Sequence, residues 1–152
     1  MGGCSAGRAE YAVTMFRRVD HIGVIVADLR EAGRWLGEAF GLPLDRTLEF
    51  PDRGIRAAFY KCGDVDIEVI EISDPEARRQ RLGEGERARI EHIAVEVENL
   101  QTALTALAAL GVRTNAPEPR RIGDSLHMWT IAESTGGVSY QLIERGATSR
   151  RG

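Results

Sequence analysis

Asp20–Leu29 reads DHIGVIVADL, and 71 residues further on Glu91–Leu100 reads EHIAVEVENL. Sliding the chain against itself by 71 residues superposes His21 on His92, Ile22 on Ile93, Val24 on Val95, Val26 on Val97, Leu29 on Leu100, Ala32 on Ala103 and Leu36 on Leu107, with Asp20 facing Glu91. Seven identities in seventeen positions mark an internal repeat, and a repeat sets the architecture before any single element does.

Each copy opens with period-two alternation, VDHIGVIV and IEHIAVEV, which predicts a strand. Asp28 and Asn99 follow at helix N-cap positions, where a side-chain oxygen can accept the first unpaired backbone N–H groups. Glu31 adds capping-box spacing in the first copy; the helices then run through Trp35 and Leu36 to Gly41, and through Leu104 and Leu107 to Gly111. Short extended runs come next: LDRTLEF, IRAAFYK and VDIEVIEI in the first half, and VRTN, LHMWTIA and VSYQLIE in the second, with a proline-containing loop after VRTN. The expected fold is α+β, two tandem βαβββ modules forming a curved mixed sheet around a shared central cleft. The boundaries are a single domain over 17–145, with module 1 at about 17–72, a charged linker at 73–89 and module 2 at about 90–145, between flexible tails 1–16 and 146–152. The linker arginines 78, 79, 81, 87 and 89 read as a solvated stretch balanced by nearby glutamates.

Composition narrows the function. A chain of 152 residues with net charge -3 and pI near 5.7 has no electrostatic pull toward nucleic acid. No stretch approaches the about 18 consecutive apolar residues of a membrane span, and MGGCSAGRAEYAVTMF lacks the apolar run of a signal peptide, so no membrane partner and a cytoplasmic location are expected. Ala6 stands where a myristoylation motif wants Ser or Thr. Cys4 and Cys62 form no disulfide framework or zinc motif and read as free thiols.

The repeat persists at the far end of each half. At an offset of 73, Ile67–Glu71 superposes on Tyr140–Glu144, which makes Glu68 and Gln141 equivalent. Strand parity then collects His21, Gly23, Glu68, Ile70, His92, Ala94, Ser139, Gln141 and Ile143 on one inner face. A lone histidine in a strand is more often structural than ligating; a matched pair, with two matched oxygen-bearing side chains, offers four donors. Two nitrogens and two oxygens suit one divalent metal ion such as Co, Zn, Ni, Mn or Fe. Gly23 and Ala94 are small enough to leave room for a ligand beside the histidines. By the same parity His127 falls on the face opposite Met128 and Thr130, outside the site, and Trp129 falls on the outer face.

HIGVIVADL, DIEVIE, EHIAVEVENL and GGVSYQLIE resemble the vicinal oxygen chelate superfamily, which includes glyoxalase I, methylmalonyl-CoA epimerase, extradiol dioxygenases and fosfomycin-resistance enzymes. Within it, FPDRGIRAAFYKCGDVDIEVIEI is most similar to the methylmalonyl-CoA epimerase family. The resemblance implies metal ligands His21, Glu68, His92 and Gln141, and an isomerase or epimerase acting on a small molecule with vicinal oxygens, an acyl-CoA among the candidates. It also implies chelation of those oxygens, Lewis-acid stabilisation of an enolate, and a homodimer as a compatible assembly. Two departures stand out: the epimerases usually close the site with glutamate where this chain has Gln141, and some carry glutamate where it has Ala57. Neither residue is a base, which leaves Glu68 as the one clear catalytic candidate. Glu96 shares the face of His92 but sits four residues, roughly 13 Å, along the strand; Glu49 and Lys61 are further candidates without a spacing argument. Alternatives are a glyoxalase-like lyase or natural-product isomerase and a metal-free antibiotic-sequestering protein; Gln141 argues against an iron dioxygenase.

Overall fold

A computed structural model describes residues 14–149. The first half contains β1 (Phe16–Val26), α1 (Leu29–Gly33) continuing as a π-helical turn over Arg34–Ala39, β2 (Leu44–Phe50), β3 (Ile55–Cys62) and β4 (Val65–Ile72). After α2 (Pro75–Leu82), the second half contains β5 (Ala88–Val97), α3 (Leu100–Ala109), β6 (Arg120–Ile122), β7 (Ser125–Trp129) and β8 (Ser139–Glu144). All eight strands join one curled sheet in the order β2-β3-β4-β1-β5-β8-β7-β6. Each half pairs its first and last strands in parallel, β1 with β4 and β5 with β8, and the halves meet through antiparallel β1 and β5.

The repeat shows in local chemistry as well as topology. Asp28 Oδ1 accepts from Arg30 N–H at 2.8 Å and Asn99 Oδ1 from Thr102 N–H at 2.7 Å, as the N-cap reading expects. Glu71 and Glu144, equivalent at the 73-residue offset, reach from the last strands to accept from Leu29 and Leu100 N–H at 2.8 and 2.7 Å. Glu31 pairs with Arg87. Past the helices Gly41 and Gly111 turn the chain at φ 70° and 83°, the left-handed region that favours glycine.

The helices α1 and α3 cover the face opposite the cleft. Leu29, Ala32 and Leu36 pack on Val26, Ala58, Tyr60 and Val69, while Leu100, Ala103, Leu104 and Leu107 pack on Val95, Val97, Met128 and Leu142. No helix among the described residues is long and apolar enough to cross a membrane. The charged stretch 73–89 is more ordered than its composition predicts. Asp74 caps α2 through Ala77 N–H at 2.7 Å, and Leu82, 3% exposed, packs with Ile25, Phe59, Ile70 and Ile72. Burying one leucine is worth about 1.5–3 kcal/mol, enough to dock one short helix end.

In the second half the extended run VRTN contributes only an isolated bridge, Thr114 to Thr130. The outer strand is instead β6, which begins immediately after Pro119, where backbone N–H groups become available for pairing with β7. Cys62 is an exposed free thiol and Cys4 lies outside the described residues. Most of the tail 1–16 also lies outside them, whereas Thr148 and Ser149 of the tail 146–152 hydrogen-bond to Asp124.

The central strand pair carries three register shifts, two of them beside the histidines. On β1 the register steps from Val19↔Val95 to His21↔Ala94, leaving Asp20 as the extra residue; on β5 it steps from Gly23↔His92 to Val24↔Ile90, leaving Glu91 extra. A bulge breaks strict alternation and re-aims side chains. Here it lets an acid and the histidine after it act on the same site.

Candidate metal centre

The concave face holds a cleft of about 730 Å³ with His21, Glu68, His92 and Gln141 in its lining. Glu68 Oε2 lies 3.1 Å from His21 Nε2 and 3.4 Å from His92 Nε2. The two Nε2 atoms are 3.3 Å apart, and Gln141 Oε1 is 3.1 Å from His21 Nε2. Zinc-type bonds near 2.0 Å place tetrahedral donor atoms about 3.3 Å from one another. The chain thus offers two imidazole nitrogens, a carboxylate oxygen and an amide oxygen at a spacing that fits a divalent first-row metal ion.

The sheet explains the convergence. Gly23 is the neighbour of Glu68 on one side and His92 on the other, and Ala94 is the neighbour of His21 and Gln141. Each donor pair flanks a small residue. The vacancy is used by the protein itself: a Cβ on Gly23 would overlap the His92 ring, so at this position glycine houses a donor rather than an external ligand.

Behind each histidine stands the acid released by its bulge. His21 Nδ1 is 2.7 Å from Asp20 Oδ1, and His92 Nδ1 is 3.3 Å from Glu91 Oε1. Arg145 clamps Asp20, and Arg81 clamps Glu91 through two bonds of 2.7 Å. A carboxylate on the far ring nitrogen fixes which nitrogen faces the cluster and raises its basicity.

The charges are tightly matched. Burial would raise the Glu68 carboxyl, but hydrogen bonds with His21 and His92 outweigh it and bring it down to about 2. Burial would lower His21, yet Asp20 and Glu68 raise it to about 9; His92 is raised by Glu68 and Glu91 against burial and the His21 charge. Glu91 falls to about 2 because Arg81 and His92 overcome burial, and Asp20, held by His21 and Arg145 against burial, lies well below the usual carboxylate range.

His127 and Trp129 line the cleft, contrary to the parity reading. Register gives the reason: β7 pairs His127 with Ile143 and Trp129 with Gln141, so both face inward, whereas Leu126 and Met128 pack into the helix-covered cluster. Gln141 Nε2 donates to His127 Nδ1 at 2.8 Å. Burial, then the charges of Arg145 and His21, push His127 down to about 4, so its ring is neutral at neutral pH.

The other candidates stand apart. Glu49 is exposed while Leu48 and Phe50 on either side line the cleft, so its side chain faces away. Glu96 lies beyond the lining, and Lys61 is engaged by Asp66 at 3.1 Å. Arg81 does not belong to a solvated linker: it lines the cleft and holds Glu91. The acid repeat at Asp20 and Glu91 is visible in the sequence. Their arginines are not, because one precedes β5 and the other follows β8, outside any repeat offset.

Fold and donor set define a vicinal oxygen chelate domain. The chain belongs to the Glyoxalase/Bleomycin resistance protein/Dioxygenase superfamily, whose profile matches residues 20–130. It is 21% identical over 104 residues to mitochondrial methylmalonyl-CoA epimerase of Mus musculus, covering 68% of this chain and 58% of that one. The chain thus spans little more than half the length of that relative. It is 26% identical over 128 residues to the uncharacterized protein YqjC of Bacillus subtilis (strain 168), covering 84% and 91%. Methylmalonyl-CoA epimerase from Mycobacterium tuberculosis superposes with a TM-score of 0.79 at 25% identity, over 90% of this chain and 93% of that one.

Proposed function

We propose that this protein is a divalent-metal-dependent isomerase or epimerase that removes a proton from carbon next to a carbonyl, on a small molecule bearing two neighbouring oxygens. The observation that carries the reading is the convergence of His21 Nε2, His92 Nε2, Glu68 Oε2 and Gln141 Oε1 within 3.1–3.4 Å of one another along the measured pairs. A metal ion held by these four residues supplies Lewis acidity to the substrate oxygens.

The chain's own groups divide the remaining work. Glu68 is the least buried donor, its side chain 13% exposed against 3–4% for the histidines, and it is the carboxylate that takes the substrate proton. The other carboxylates lining the cleft are engaged: Glu91 by Arg81 and His92, Asp124 by Thr148 and Ser149. One carboxylate left to face the substrate favours one-base chemistry, in which Glu68 takes a proton from carbon, exchanges it with solvent and delivers a proton to the enolate at the position that gives the isomer. Leu48, Phe50, Phe59, Ile70 and Ile143 exclude water from the approach, while Arg46, Arg53 and Arg120 give the cleft a cationic side for an anionic substrate such as an acyl-CoA.

The relatives' names make methylmalonyl-CoA the first substrate to test. In D2O, metal-loaded protein is expected to exchange the C2 proton above background by NMR, and Glu68→Gln to abolish that exchange. Stoichiometric cobalt or zinc should survive dialysis of the wild type but not of His92→Ala. Absence of metal in the wild type sinks the reading; metal without exchange redirects the search to another carbon acid.

A further inference from the structure

The two halves place different residues beside their oxygen donors. In the first half the register runs Phe59↔Glu68 and Ala57↔Ile70; in the second it runs Trp129↔Gln141 and His127↔Ile143. Ala57 and His127 are thus equivalents, each diagonal to the donor of its half and on the same face. The carboxylate half has a methyl there and the amide half has an imidazole.

Chemistry accounts for the asymmetry. Glu68 presents equivalent oxygens and needs no help to offer one. An amide has an oxygen end and a nitrogen end, and only the oxygen can serve a cation; its NH2 end is a donor that a cation repels. Something must hold the NH2 end away from the centre.

We propose that His127 is the positioning residue of Gln141, accepting the amide N–H at Nδ1 and so turning Oε1 into the donor set. Gln141 Nε2 is 2.8 Å from His127 Nδ1 while Gln141 Oε1 is 3.1 Å from His21 Nε2, so the amide is held at both ends. His127 is 7% exposed and stacks on Trp129 with ring centroids 6.1 Å apart and planes at 24°, which limits its rotation. Because Nδ1 accepts, the ring proton resides on Nε2. The role rests on the metal-centre reading for its purpose, though not for its geometry.

Cobalt(II) titration of the full chain, followed by visible absorption, tests the purpose. His127→Leu is expected to weaken cobalt binding 10- to 100-fold, as loss of an orienting partner does at metal sites, and to change the absorption envelope. His127→Asn, whose Oδ1 can accept from the same amide, is expected to recover most of the affinity. In a Q141E background, where the donor no longer has two unlike ends, His127→Leu is expected to cost less than threefold. Wild-type affinity in His127→Leu, or an equal loss in both backgrounds, overturns the proposal.

Nitrogen-15 NMR of the metal-free wild type tests the geometry separately: an Nε2–H tautomer for His127 supports the arrangement and an Nδ1–H tautomer overturns it. A wild type that takes up no cobalt removes the metal-centre reading and with it the assigned purpose, whereas the tautomer still decides whether His127 holds the amide.

Discussion

The halves agree at the histidines and the scaffold around them and differ at the oxygen-bearing side chain and the residue diagonal to it. Both supply a bulged acid, the histidine after it, a small neighbour and a glutamate reaching the first helix. They diverge at Glu68 against Gln141 and at Ala57 against His127. Repeated scaffold thus produces the geometry, and unequal residues make one side of the cluster anionic and the other neutral.

Changing pH tests that division with the largest expected effect. In the metal-free protein His21 is raised to about 9, so metal uptake near neutral pH must displace its proton. Apparent zinc affinity is expected to rise about tenfold per pH unit, roughly 100-fold from pH 7 to 9, and His92, raised likewise, steepens the slope. The metal-free fold responds with the opposite sign. A raised histidine contributes stability that is complete below its unfolded value of 6.5 and is lost as pH climbs through about 9. Thermal melts with and without zinc over this window check both; a pH-independent affinity would mean that the first half's histidine is not the group being deprotonated.

The small neighbours give the next effect. Gly23→Ala drives a methyl into the His92 ring and is expected to cost about 1–3 kcal/mol of stability together with metal affinity. Ala94→Gly, at the matching place, is expected to cost only about 0.5–1 kcal/mol and to leave zinc bound. Urea unfolding and dialysis of the two variants measure the contrast.

The smallest effect should be symmetric. Asp28→Ala and Asn99→Ala each remove an N-cap about 1 kcal/mol in strength, and neither is expected to disturb metal content. Unequal losses would show that the short α1, with its π-helical continuation, depends on its cap differently from the ten-residue α3.

The repeat offset and period-two alternation make the two halves and the convergence of His21, Glu68, His92 and Gln141 legible in the sequence, because those side chains share one face at fixed spacing. What stays hidden depends on partner strands. The bulges at Asp20 and Glu91 exist only in the β1–β5 register, and Arg81 and Arg145 meet them from outside the repeat. Parity misplaces His127 because a five-residue strand has two alternating faces, and the helix packing that claims Leu126 and Met128 is a tertiary fact. Charge hides the linker helix, whose lone buried residue is Leu82.

The paired bulges also bear on engineering. Copying two histidines, a glutamate and a glutamine onto another curved sheet would transfer the donors without the carboxylates that orient them, since on a regular strand the residue before an inward histidine points outward. The transferable unit is the acid–histidine dipeptide with the acid as the extra, unpaired residue of a bulge. A graft that keeps regular pairing is expected to bind metal loosely even with every donor atom in place.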